Sequence, residues 1–344
     1  MNPESTARDW ARQSAENLQA MELYHRLLQP EGPLFTPGEV TAFARDCDLP
    51  EESAFPLLLS AACGLSIDES PEQMRLYRRY LLPALRPLDP APYLQNPYAR
   101  AVRFPEQSEG AWRYARLSYA PYQLFPCGNT ALLPDGREIQ PLGYFTVPFS
   151  YPAVLENERE WMTLTPNEIE TMREDISAAR GRVAMLGLGL GYAAFMAAQK
   201  REVSQVTVVE RDEQVISLFR AQLLPQFPEG NKIRLIHADA FDFLSAAPPD
   251  AFDFVYADLW HDVADGLPLY LRLRKLEESR PGAEFRYWIE PSLLIFLREL
   301  LLEDWLRRAR RLDRLLPREA DALADALTLN SVRALCRSIA PEDV

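Results

Sequence analysis

The chain has 344 residues, 47% of them apolar and 25% charged, and its 50 acidic and 37 basic side chains leave a net charge of -13. At roughly 100–200 residues per domain, that length allows two domains or one with a large extension, and the apolar fraction excludes a globally disordered chain. The acidic balance disfavours nucleic acid as a partner, no stretch reaches the roughly 18 apolar residues of a membrane span, and the polar start MNPESTARDW is unlike a signal peptide, so a cytoplasmic protein is expected.

Taken in chain order, residues 1–110 read as a helical region ending in a Pro-rich connector. Residues 11–28 carry apolar side chains at helical spacing, and Thr36-Pro37-Gly38-Glu39 forms a capping box with Pro at the first helical position. Ser70-Pro71-Glu72-Gln73 opens a further helix on a similar pattern. The stretch 83–105 is rich in Pro and Tyr and is expected to be extended. Residues 111–160 read as a small antiparallel β region, because short β-prone runs alternate with Pro-Asp-Gly and Gly turn signals. Thr165-Pro166-Asn167-Glu168 then caps another helix.

Residues 161–290 change pattern. RVAMLGLG, QVTVVE, KIRLIHAD, FDFVYAD and EFRYWIE are short apolar runs separated by helical stretches. Continuous apolar strands alternating with helices specify a parallel sheet covered on both faces. Residues 291–344 read as a helical tail that includes Arg307, Arg308, Arg310, Arg311, Arg314 and Arg318; this Leu- and Arg-rich stretch is a candidate face for a homo-oligomer. The fold class expected is therefore α/β, with a doubly wound, mostly parallel Rossmann-like sheet preceded by the helical and small β regions and followed by the tail.

Cys47, Cys63, Cys127 and Cys336 are far apart and form no C-x-x-C, so buried small hydrophobes are expected rather than disulfides or zinc ligands. Of the histidines, His25 and His237 are expected to be structural, with His237 inside a buried strand. No metal site is expected.

The chemistry-bearing residues gather at the ends of the strands. Gly187, Gly189 and Gly191 form G-x-G-x-G between the first strand and its helix, a turn that lets backbone approach a ligand and aims helix N-terminal N–H groups at it. A dinucleotide fingerprint would have Gly or Ala at position 192, where this chain has Tyr192, so a nucleoside without a pyrophosphate fits better than NAD. Glu210 ends the second strand, where a carboxylate can accept from both ribose hydroxyls. Asp239, followed by Ala240, ends the third strand and is placed for an adenine amino group; either acid could instead only cap the helix after it. Asp258 ends the fourth strand, with Trp260, His261 and Asp262 just beyond it. Asp258 is expected to orient an acceptor, and His261, an imidazole of reference pKa about 6.5, to serve as a base. Trp260 is expected either as a wall for a cationic acceptor or as packing against the next helix. Tyr122, Tyr151, Trp161 and Asn167 are weaker candidates flanking the turn.

VAMLGLGLGY, VTVVE, IRLIHADAF and FDFVYAD together resemble the four motifs of class I S-adenosylmethionine-dependent methyltransferases, with Met185 standing where an acid often precedes the turn. The order of a small β region followed by this core also resembles the spermidine synthase family of polyamine aminopropyltransferases. Tyr122-Gln123 and Leu133-Pro134-Asp135-Gly136 echo segments of that family, while Leu190 and His261 stand where it carries Asp. The resemblance implies S-adenosylmethionine as cofactor, held by Gly187, Gly189, Gly191, Glu210, Asp239 and Ala240. It implies methyl transfer to a small-molecule or peptide-like acceptor, with Asp258 and His261 catalytic. The alternatives are aminopropyl transfer and a non-catalytic nucleoside-binding or interaction module on the same fold.

Overall fold

The computed structural model describes residues 3–105 and 107–309. The chain divides into two compact units. One comprises the residues up to Asn96 with Arg116–Pro152 and Leu164–Glu170; the other comprises Pro97–Ala115, Ala153–Thr163 and the chain from Thr171 onward.

The first unit is built on helices Pro3–Leu28, Pro37–Asp46, Glu51–Ala62 and Pro71–Leu76, the last continuing through a π-helical turn at Tyr77–Leu81. Thr36 caps its helix as the sequence implies: its side chain accepts from the Glu39 N–H, and Glu39 accepts from the Thr36 N–H at 2.7 Å. Thr36→Ala should lower the stability of the protein by about 1 kcal/mol, read as a shift in its urea unfolding midpoint. The apolar faces meet in a core that includes Leu23, Leu27, Phe55, Leu59 and Leu142. Phe55 packs against Tyr122 and Tyr144 at ring separations of 4.9 and 4.7 Å.

Buried Asn17 ties the first helix to the hairpin Ala131–Leu132/Glu138–Ile139. It donates to the Gly136 carbonyl at 3.1 Å and accepts from the Glu138 N–H at 3.2 Å. The small β region holds short pairings beside the longer strands Trp112–Tyr119 and Phe149–Glu156, which belong to a four-stranded sheet. Leu142–Tyr144 lies between Phe125–Pro126, antiparallel, and Leu85–Pro87, parallel. The stretch 83–105 is thus not simply extended, since it also holds short helices Ala91–Leu94 and Pro97–Ala101. Proline in the first helical turn lacks only an N–H that would be unpaired anyway, which is why a Pro-rich stretch can hold helical turns.

In the second unit the parallel strands are β1 Gly181–Leu186, β2 Val203–Glu210, β3 Ile233–His237, β4 Phe254–Ala257 and β5 Glu284–Tyr287. They form one parallel sheet in the order β3-β2-β1-β4-β5. Besides the short helix Pro97–Ala101, its α-helices are α1 Pro166–Ala178, in this unit from Thr171 on, α2 Tyr192–Ala198, α3 Glu213–Gln222, α4 Ala240–Ala246, α5 Val263–Glu277 and α6 Glu290–Ala309. The central strands are apolar over their buried stretches because both faces are covered there, and Val183, Ala184, Leu186, Val206, Phe254 and Val255 are fully buried. This is the doubly wound α/β fold expected from the alternating pattern.

Strand β3 is an edge strand and only half-covered. His237 is therefore exposed rather than buried, with its Nε2 3.0 Å from the Arg211 carbonyl oxygen. The cysteines also differ from expectation: Cys127 is buried, but Cys63 is half-buried and Cys47 exposed. Burial pushes the Cys127 thiol up to about 11, so it behaves as the inert small hydrophobe expected. Cys47 is exposed because it lies at the C-cap of a short surface helix. Residues 310–344, with Cys336 and the arginines from Arg310 onward, lie outside the described residues, as do the side chains of Arg307 and Arg308. Among the described residues no helix is long and apolar enough to cross a membrane.

Candidate active site

In a doubly wound sheet the ligand crevice opens at the carboxyl ends of the strands where the chain order reverses, which here is between β1 and β4. A cleft of about 240 Å³ lies there, lined by Gly187, Gly189, Glu210, Asp239, Ala240, Asp258 and His261. Gly191, the third glycine of the turn, instead sits at the N-cap of α2, where an added Cβ would collide with the Phe219 ring. Its role is to let the start of α2 approach the Phe219 ring of α3 closely.

Gly187 is the position that only glycine satisfies. Its φ is +99°, and a Cβ would overlap the Asp258 carbonyl oxygen. The β4 end is fixed against β1 by the Asp258 N–H, which donates to the Leu186 carbonyl at 2.9 Å. The turn is also held from outside the motif. Buried Tyr98, from the short helix Pro97–Ala101, donates to the Leu190 carbonyl at 2.5 Å and packs edge-on against Phe195 at 5.2 Å. Leu190 itself is buried.

Glu210 organises the turn. Its Oε2 accepts from the Leu188 N–H at 3.2 Å, and its Oε1 accepts from the N–H groups of Arg211 and Asp212 at 2.7 and 2.9 Å. A carboxylate holds more lone-pair sites than these three bonds use, so it can also accept from a ligand. Asp239 caps α4, with Oδ1 accepting from the Phe241 and Asp242 N–H groups at 2.8 and 3.1 Å. Helix capping and cleft lining therefore coincide in Asp239.

Asp258 differs from these acids. Its Oδ1 is sealed from solvent and has no hydrogen-bond partner among the described residues. Burial alone pushes its carboxyl up to about 7, because a charge there would lack both water and a partner. Trp260 is also buried. It packs against Gly266 of α5, where a Cβ would come 2.8 Å from the indole, and its Nε1–H has no partner among the described residues. Packing and cleft lining are again combined in one residue.

The imidazole of His261 is held in place. Its Nδ1 lies 3.1 Å from Asp265 Oδ2, and its ring stands edge-on to Trp161 at 4.7 Å. Asp265 also accepts from the Asp262 N–H at 3.0 Å and completes a capping box with Asp262 at the start of α5. Burial would raise the Asp265 carboxyl, but the hydrogen bonds from Asp262 and His261 outweigh it and hold it below its ordinary value. An ionised Asp265 favours Nδ1–H on His261 and leaves Nε2 with the free lone pair.

Three cleft residues have no motif behind them. Trp161 and Met162 come from strand Arg159–Thr163, and Met162 rests against Gly189. Arg272 lies on α5, its guanidinium 3.7 Å from the centre of the Phe241 ring. Trp161 is a candidate in the sequence only because it flanks the turn, and nothing in the sequence marks Met162. Asp265 was readable as the fourth residue of an Asp-x-x-Asp cap.

Other candidates have partners within the first unit. The Tyr122 hydroxyl donates to Glu51 at 2.6 Å, Gln123 Oε1 accepts from the Ala120 N–H at 2.9 Å, and Asn167 Oδ1 accepts from the Gly128 N–H at 2.9 Å. Tyr151 packs on Tyr119 at 4.7 Å. Asp135 pairs with Arg79 and Arg137 at 3.3 and 2.8 Å.

No family model and no curated protein matches the chain. Among solved structures it is similar to spermidine synthase from Thermotoga maritima, at 15% identity over 43% of this chain and 55% of that one, with a TM-score of 0.31. It is also similar to a spermidine synthase in complex with the transition-state analogue AdoDATO, at 14% identity over 43% and 54%, with a TM-score of 0.30. A third is precorrin 8w decarboxylase from Methanobacterium thermoautotrophicum, at 21% identity over 34% and 58%, with a TM-score of 0.27. The chain spans little more than half the length of each of these proteins. The assignment to the Rossmann-like α/β class rests on the strand order and the cleft at its reversal.

Proposed function

We propose that the protein is an S-adenosylmethionine-dependent methyltransferase acting on a small or peptide-like acceptor. One observation carries this reading: a single cleft at the reversal of strand order is lined by two glycines of the turn, Glu210, Asp239 and Asp258. The residues suit the cofactor on structural grounds. The first glycine admits the Asp258 carbonyl where a Cβ would stand, bringing β4 close to the turn, and the cleft holds a buried carboxyl oxygen and an indole N–H without partners among the described residues. Glu210 would accept from the ribose hydroxyls, Asp239 Oδ2 from the adenine amino group, and the Gly187–Gly191 turn would carry the methionine end. Met162, resting on Gly189, has a flexible thioether that can swing aside to admit that chain.

The cofactor supplies a methyl group already activated on a sulfonium, so the protein's task is to align the acceptor and exclude water. Trp161 and Trp260 would wall the acceptor path. His261 Nε2, its ring steered by Asp265 and Trp161, would take the proton of a nitrogen or oxygen nucleophile, and Asp258 would orient that nucleophile.

Aminopropyl transfer lacks an observation of its own. The position where that family carries an Asp in the turn is Leu190, whose side chain is buried and whose carbonyl is taken by Tyr98. The test is calorimetric titration of the full chain with S-adenosylmethionine, S-adenosylhomocysteine, decarboxylated S-adenosylmethionine, methylthioadenosine and NAD. Micromolar binding of the first two is expected, weakened about a hundredfold or more in Glu210→Ala, because two charge-assisted hydrogen bonds are lost with the turn's anchor. Preference for the decarboxylated cofactor would move the reading to aminopropyl transfer. Binding of none would leave a non-catalytic module.

A further inference from the structure

Resting on the reading that the cleft takes S-adenosylmethionine, we propose that Asp258 is the seat of the ligand's positive charge, so that the cleft selects the sulfonium nucleoside over its neutral thioether product. The geometry carries this. Asp258 follows β4 directly beside the first glycine of the turn, its carbonyl oxygen filling the space a Gly187 Cβ would need. Its carboxyl Oδ1 is buried with no partner among the described residues.

A carboxylate with a buried, unpartnered oxygen is favoured in its ionised form only when a cation comes to it, and otherwise tends to hold a proton. The neighbours supply neither a cation nor a hydrogen bond. From β2, Glu210 is an acid engaged by backbone N–H groups, and the Arg211 side chain that follows it is exposed. From the turn after β3, Asp239 is an acid committed to α4. From α5, Arg272 lies over Phe241. Beyond Asp258 itself, His261 is paired with Asp265. From strand Arg159–Thr163, the residues lining the cleft are the uncharged Trp161 and Met162. The missing cation is therefore left to the ligand. A sulfonium in the cleft favours the ionised carboxyl; a thioether of the same shape leaves it protonated.

This selection is linked to pH. The free protein holds the proton below about pH 7. Sulfonium binding must displace that proton, whereas thioether binding need not. Raising the pH from 5.5 to 7.0 should therefore increase the ratio of S-adenosylmethionine affinity to S-adenosylhomocysteine affinity by about tenfold.

The experiment is calorimetry on the full wild-type chain with both ligands, at pH 5.5 and 7.0. Each titration is run in two buffers of different ionisation enthalpy, so that protons released are counted directly. Proton release with S-adenosylmethionine alone, and a rising affinity ratio, are the expected result. In Asp258→Asn the ratio should become independent of pH while S-adenosylhomocysteine still binds. If that variant fails to fold, the wild-type proton count decides by itself. Binding of both ligands with the same proton count overturns the proposal and leaves the cofactor reading standing. If neither ligand binds, the cofactor reading falls and the proposal with it.

Discussion

Asp258→Asn should make the protein more stable than wild type near neutral pH and no more stable below about pH 4. The sign follows from the two states of Asp258. In the unfolded chain it ionises near the ordinary carboxylate value of about 4; in the folded protein burial raises it to about 7. Below both values the group is protonated in either state and contributes nothing. As pH rises from about 4 to about 7, the unfolded chain loses its proton first. The folded state is then disfavoured by an amount that grows to at most about 4 kcal/mol.

Asparagine removes this penalty, because it is neutral at every pH and nearly the same shape. The measurement is urea unfolding of both proteins from pH 4 to pH 8. The difference between the two curves isolates Asp258. That isolation matters because Asp175 is also raised to about 7, by burial first and then by Glu290, Glu174 and Glu284 against the opposing Arg286. Asp175 titrates in the same window, but it is common to both proteins. A difference curve flat across that range would mean that Asp258 is already ionised and partnered in the fold.

Gly187→Ala should cost about 3 kcal/mol or more and abolish nucleoside binding. Two effects act together. The φ of +99° at this residue is one that an L side chain rarely adopts. In addition, the new Cβ would overlap the Asp258 carbonyl oxygen, which is backbone and cannot rotate away. Relief requires β1 and β4 to separate at the Asp258 N–H to Leu186 bond, where the cleft is assembled. Such a change belongs among the strained-backbone and overpacking substitutions that produce large destabilisations. Thermal unfolding with and without S-adenosylhomocysteine checks both parts: the melting point should fall sharply and the ligand should no longer raise it. A variant that melts like wild type and is still protected by ligand would contradict this account of the turn.

Much of the core was readable because its rules are local or nearly so. Buried parallel strands are continuous apolar runs, and the ligand-facing residues of such a sheet lie where the runs end. Gly187 and Gly189 of the turn, Glu210, Asp239 and Asp258 stand at such ends and line one cleft. The cap at Thr36 was legible because a capping box spans four residues. Where the reading departs from the structure, the missing information was long-range. His237 has the apolar neighbours of a buried strand, but its strand lies at the sheet edge, and strand order is not a property of the strand's own residues. The Pro-rich stretch holds short helices because Pro92 and Pro97 fall in first turns that neighbouring chain stabilises. Cys47 and Cys63 carry no local signal of depth.

By itself the sequence determined the class of fold, the position of the crevice and the acids at its rim. Periodicity, turn chemistry and strand ends are written in contiguous residues, which is why these features could be read. Only the tertiary structure decided what those acids can do. Glu210 and Asp239 are surrounded by backbone N–H groups and so belong to the fold as well as to the cleft. Asp258 has one carboxyl oxygen buried beside the turn without a partner among the described residues, and burial raises its carboxyl. Tyr98 reaches the turn, and Trp161 and Met162 the cleft, from segments well upstream in sequence. Burial and partnership depend on which distant segments fold over a residue, and they set the charge of a carboxyl that composition alone would have called ionised.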